Sequence, residues 1–163
     1  MFKALKVVPA GLFLMAALMP ALSQAEASKA EQANAAAIAE MVTVLFNEGK
    51  VARAGEFLQS GFVDHSPWPE QSADIAGFKA GLQAMRESFP DLHVSIERTV
   101  AQDNMITAHL KMTGTQKGAF MGAPASNKSF SIDAIDMVRM DNGRIVEHWG
   151  LIDTAALAAQ LGL

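Results

Sequence analysis

The sequence predicts an α+β fold: N-terminal helices packed on a curved antiparallel β-sheet that encloses a pocket. Three observations carry this expectation. Apolar residues recur at helical spacing over the first half of the chain and at strand spacing from Leu92 onward, and helices followed by strands is the α+β order. Half of the 163 residues are apolar, so one domain can bury a substantial core. Helices followed by an antiparallel meander bury both layers only if the sheet curls around the helices, which leaves a cone with a cavity.

Residues 1–27 stand apart from that domain. Lys3 and Lys6 form a positive start, Val7 to Met19 is an apolar run, and small residues occupy Ser23-Gln24-Ala25 and Ala25-Glu26-Ala27. This is the pattern of a secretory signal peptide cleaved after Ala25 or Ala27. The run is shorter than the roughly 20 residues a bilayer requires, and Pro9 and Pro20 bracket it. The expected location is therefore the periplasm or the exterior, with no membrane contact after cleavage. The domain proper is 28–163. Losing two lysines makes it more acidic than the full chain's net charge of −4, and it has no basic cluster, which argues against a nucleic-acid partner. The absence of cysteine excludes disulfides, thiol catalysis and thiolate metal sites.

Ser28 with Glu31 forms a capping box. The helix it starts carries Ile38, Met41, Val42, Leu45 and Phe46 on one stripe and ends at Gly49. A short second helix has Val51, Ala54, Phe57 and Leu58 as its apolar side, and Gly61 breaks it. Phe62 to Pro69 is too rich in proline to read as regular. A third helix runs from about Ile75, with Phe78, Leu82, Met85 and Phe89 at helical spacing, and Pro90 stops it. The period then becomes two. Leu92, Val94 and Ile96 mark one strand, and Ile106, Ala108, Leu110 and Met112 mark the next. A glycine-containing loop, Gly114 to Asn127, follows. Two further strands, about Ser129–Met140 and Arg144–Ile152, flank the hairpin signal Asp141-Asn142-Gly143. Thr154 to Leu161 forms a terminal helix with Asp153 as its N-cap.

Four segments carry a family resemblance: Phe62-Val63-Asp64-His65, Ser88-Phe89-Pro90-Asp91-Leu92, Gly118 to Pro124, and Asp141 to Trp149. In this order and spacing they resemble the signature segments of SnoaL-like polyketide cyclases, also called ester cyclases, a family with the nuclear-transport-factor-2-like cone fold. The resemblance implies ring closure of an aromatic polyketide ester by an intramolecular aldol step, with no metal and no cofactor. It also implies an acid/base aspartate on the last strand, just after the motif histidine. Here that histidine is His148, and the aspartate position holds Gly150, which cannot move a proton.

The last hairpin supplies the candidate chemistry. Phe130, Ile132, Ala134, Asp136 and Val138 share one face of its first strand, and Val146, His148, Gly150 and Ile152 share one face of its second. A two-residue loop would pair even positions with odd ones. A three-residue loop with Gly143 left-handed keeps the two sets together and predicts Asp136 opposite His148 and Ala134 opposite Gly150. As a functional dyad, Asp136 would fix the tautomer of His148, and His148 would act as general base. As a structural pair, the two would only satisfy each other inside the core. The resemblance implies that Asp64 and His65 rim the pocket, where they would hold a substrate oxygen; the alternative is a turn in which Asp64 bonds its own backbone. Trp68, between two prolines, either lids the pocket or covers the open end of the cone. Phe120, with Met121 and Pro124, is placed at the entrance. His109 and His93 point outward, and the four histidines lack the H-x-x-x-H spacing of a metal site.

The opposite face of the hairpin holds Ile135, Met137, Ile145 and Trp149 and is also apolar, which suggests a homodimer through the sheet face. Three functions fit these residues. One is an enzyme of the cyclase or isomerase kind acting on a small apolar carbonyl or ester. Another is a non-catalytic periplasmic module that binds a small hydrophobic metabolite. The third is an interaction domain whose dimer surface is its only business.

Overall fold

The computed structural model describes residues 28–163, so the signal peptide expected at 1–27 lies outside the described residues. Helix α1 (Lys29–Met41) begins as the capping box requires. The Glu31 amide donates to Ser28 Oγ at 3.2 Å, and the Ser28 amide donates back to the Glu31 carboxylate at 2.6 Å. The helix runs on into one wide π-helical turn, 42–47, and the chain then reverses at Gly49, whose φ of +69° is left-handed. At the end of the wide turn, Asn47 uses its side-chain amide as a strand backbone would. It donates to Val94 O at 2.9 Å and accepts from Val94 N at 2.7 Å.

The second helix is shorter than the spacing suggests. A 3-10 turn (Val51–Arg53) leads into α2 (Ala54–Phe57), and the chain then extends at Leu58. Leu58–Asp64 is a strand, β1, where a helix end and an irregular segment were expected. Leu58 and Phe62 are both buried, and a spacing of four keeps residues on one side of a strand as well as of a helix. A register shift between Leu58 and Val63 interrupts the strict alternation that would have marked the strand.

Helix α3 (Ile75–Ser88) is capped by Asp74, which accepts from the Gly77 amide at 2.9 Å. Strands β2 (His93–Gln102), β3 (Met105–Thr115), β4 (Ser129–Asp141) and β5 (Arg144–Ile152) form the expected antiparallel meander. Because β1 joins β5 in parallel, the sheet has five strands in the order β1-β5-β4-β3-β2 and is mixed rather than wholly antiparallel. Helix α4 (Thr154–Leu161) starts at Asp153, which accepts from the Ala156 amide at 2.8 Å, and packs on β4 with Leu157 and Leu161 buried.

The β4–β5 hairpin departs from the expected register. Asn142 and Gly143 both have positive φ, 49° and 74°, so the loop has two residues, with Asp141 paired to Arg144. A bulge then slips β5 by one residue between its pairings with Arg139 and Met140. Beyond it Val138 faces His148, Asp136 faces Gly150 and Ala134 faces Ile152. Asp136 and His148 therefore share a face but are diagonal neighbours, not opposite each other. The bulge also turns Ile145 inward. It is buried in the core, not on the outer face where alternation put it.

The core fills the space between helices and sheet. Phe89 is fully buried and meets Phe120 and Phe130 edge to face at centroid distances of 5.0 and 4.9 Å. Phe78 bridges Phe46 and Phe62 in the same geometry at 6.1 and 6.0 Å.

Because Asn47 satisfies both polar groups of buried Val94, Asn47→Ala should cost about 2 kcal/mol or more, whereas Ser95→Ala on the exposed face should cost less than about 0.5 kcal/mol. Urea unfolding of both variants checks this. Equal small losses would show that the clamp contributes nothing.

Candidate active site

Helices and sheet do not close on each other completely. Between them lies a cavity of about 910 Å³, in the size range of small-molecule sites. Its walls are mainly apolar. The helices contribute Ile38, Met41, Phe78 and Leu82, and the sheet contributes Ile106, Leu110 and Val138. Its ionisable lining consists of Asp64, Asp136 and His148.

These three come from three strands. The sheet pairing sets Asp64, the last residue of β1, beside His148 of β5. The ladder continues past β1: the His65 amide donates to His148 O at 2.8 Å, and the Gly150 amide donates to Ser66 Oγ at 3.1 Å. Asp64 Oδ1 lies 2.9 Å from His148 Nδ1 and also accepts from the Ser66 amide at 2.9 Å. On the other side, Asp136 Oδ1 lies 3.5 Å from His148 Nε2. The imidazole thus stands between two carboxylates.

A ring flanked this way favours its doubly protonated form, which can donate to both neighbours. Burial opposes the charge, but hydrogen bonds to Asp136 and Asp64 outweigh it and raise the His148 pKa from 6.5 to about 9. Burial also works against ionised Asp64, yet the hydrogen bonds from His148 and the Ser66 amide hold its carboxyl below the usual range. At neutral pH the corner therefore contains an imidazolium clamped by Asp64, with the Asp136 carboxylate on its cavity side.

Trp68 and Phe120 both line the cavity and meet edge to face at 6.3 Å, and exposed Met121 stands next to them. His65 does not reach the cavity. Its ring stacks on Trp149 at 4.5 Å and 7° on the outer side, near Glu147. Successive strand residues point to opposite faces, so with Asp64 inward His65 must be outward. His109 also faces out, 2.9 Å from Asp133. Among the described residues, no group of three or more His, Asp or Glu side chains is set to hold a metal.

Two features escaped sequence reasoning: the hold of Asp64 on His148, and Ser66 in the cavity wall. A signal was present, since Phe62, Asp64 and Ser66 follow a period of two and all line the cavity.

Comparison with known proteins finds relatives of this chain. A family model described as SnoaL-like polyketide cyclase matches residues 36–161. The chain is 26% identical over 124 residues to the aklanonic acid methyl ester cyclase DnrD of Streptomyces peucetius, covering 72% of this chain and 83% of that protein. Among solved structures, TsrD from Streptomyces laurentii superposes with a TM-score of 0.73 at 25% identity, covering 84% of this chain and 98% of that one. IdmH from Streptomyces antibioticus gives 0.71 at 28% identity, covering 80% and 99%.

The charge state of His148 makes stability depend on pH. A folded pKa of about 9 against 6.5 unfolded gives stabilisation that is complete below pH 6.5 and lost as pH rises through 9. The stability difference between the parent and His148→Gln should therefore shrink by about 3 kcal/mol between pH 6.5 and 9.5 in chemical unfolding. A difference that stays constant over that window would mean that the ring is neutral.

Proposed function

The chain belongs to the SnoaL-like polyketide cyclase family, and from that premise we propose that its cavity performs acid/base chemistry, without a cofactor, on a small, largely apolar carbonyl or ester substrate. The observation that carries this reading is the histidine held between two carboxylates at the one charged corner of an apolar chamber. Such a corner offers a proton acceptor and a proton donor side by side, and the low-polarity walls strengthen both.

The charge state assigns their roles. A protonated His148 does not serve as the general base that the sequence suggested. Asp136 lies farther from the ring than Asp64 and is the more exposed of the two carboxyl groups, so it takes the proton from a carbon next to a substrate carbonyl. The imidazolium, fixed by Asp64, faces the enolate oxygen that develops and stabilises its negative charge. In a substrate with a second carbonyl within reach, the enolate carbon attacks that carbonyl carbon and a C–C bond closes the ring. The alkoxide formed accepts a proton either from the acid form of Asp136 directly or from His148, whose Nε2 then recovers it from Asp136. A net proton transfer within one molecule is thus completed, and neither oxidant nor reductant is needed. The resemblance to an ester cyclase makes a neutral keto ester the first substrate class to try, and the walls provide the apolar surface to bury one.

Gly150 favours a second reading. The position at which the family resemblance implies an acid/base aspartate carries no side chain, and a chamber of this kind could hold a hydrophobic metabolite outside the cytoplasm without converting it.

A panel of neutral apolar keto esters and 1,3-diketones separates the two. Turnover is expected, with kcat lowered about 10²- to 10⁴-fold in both Asp136→Asn and His148→Ala while the fold is retained. Activity should also fall above pH 9 as His148 loses its proton. Retention of a bound ligand with no product over long incubation would favour the binding module. Turnover unchanged in both variants would remove this corner from the mechanism.

A further inference from the structure

Directly across the β4–β5 ladder from Asp136 stands Gly150. Its backbone is ordinary strand with no positive φ, so conformation does not require glycine there. A glycine inside a strand weakens it and commonly marks a close approach of another group. Here the approaching groups can be named. A Cβ built on Gly150 would lie 3.0 Å from His148 Cε1, 3.1 Å from His148 Nε2 and 3.2 Å from Asp136 Oδ1. All three are tighter than the roughly 3.5 to 4.0 Å at which non-bonded atoms rest.

The reason is the diagonal geometry. Asp136 pairs with Gly150, and His148 pairs with Val138, so carboxylate and ring belong to diagonal positions, about 7 to 8 Å apart along the ladder. They meet only by leaning toward each other over the glycine. The backbone has little freedom to move aside. The Gly150 amide is held by Ser66 Oγ at 3.1 Å, and the preceding stretch of β5 is paired with β1. A side chain at 150 would therefore push ring and carboxylate aside by a few tenths of an ångström, and at 3.5 Å their contact is already at the limit of a hydrogen bond.

We propose that Gly150 is a positioning residue: by carrying no side chain it lets the carboxylate of β4 serve the histidine of β5, and positions 136 and 150 are two alternative seats for one carboxylate. The role of that carboxylate in turnover rests on the acid/base reading above; its contact with His148 does not.

The test is an NMR titration of the His148 ring without substrate, on the parent, Gly150→Ala, Asp136→Ala and the double variant Asp136→Ala/Gly150→Asp. Gly150→Ala should lower the proton affinity of His148 at least about tenfold, and so should Asp136→Ala. The double variant moves the carboxylate to the neighbouring strand and should recover the affinity to within about threefold of the parent. Turnover measured on the same four proteins tests the catalytic reading separately, because the titration does not depend on it. A parent-like titration in Gly150→Ala would overturn the positioning role. A double variant no better than Asp136→Ala would overturn the exchange of seats. In the double variant Asp136 no longer flanks position 150, so only the His148 ring has to shift to admit the new side chain, and the variant is read against Asp136→Ala even if Gly150→Ala fails to fold.

Discussion

A histidine on the inner wall of an apolar chamber has to be tied at its ring nitrogens, and much of the architecture follows from how Asp64 does this. The bond from His148 Nδ1 to Asp64 exists only because β1 leaves α2 and runs parallel to β5, ending beside the histidine. That extra strand makes the sheet mixed and carries Ser66 to the Gly150 amide. With Nδ1 fixed, the other edge of the ring is aimed at Asp136. An unpaired charge at this depth would be expensive, and the two carboxylates turn that cost into a stable imidazolium.

The rest of the molecule surrounds this corner with apolar walls. Edge-to-face phenylalanines fill the space beneath the helices, and α4 packs on β4 with Leu157 and Leu161 buried. Trp68 and Phe120 narrow the cavity from the loop side. The walls are apolar and the ionisable lining is gathered at one corner, the division that the proposed chemistry requires.

Most of the fold was legible because its period was clean. The capping box at Ser28, the stripe of α3 and the alternation of β3 and β4 each follow one repeat, and the structure keeps them. What escaped was governed by irregularity or by long range. A spacing of four and a register shift disguised β1, and a single bulge in β5 set the register of the hairpin. The shared face of Asp136 and His148 survived that bulge because a two-residue loop plus one extra residue restores the parity that a three-residue loop would have given. The inward turn of Ile145 and the outward turn of His65 are consequences of the same two strands. The pairing of Asp64 with His148 spans 84 residues and follows no local pattern. The charge of His148 likewise depends on two partners brought in by other strands.

The most direct test of this arrangement is the ¹⁵N spectrum of the His148 imidazole in the unmodified protein at pH 7.5. Both nitrogens should carry protons and show the shifts of an imidazolium, since the ring titrates at about 9. One protonated and one bare nitrogen at that pH would mean a neutral ring. The clamp by two carboxylates, and the division of acid and base roles built on it, would then be contradicted.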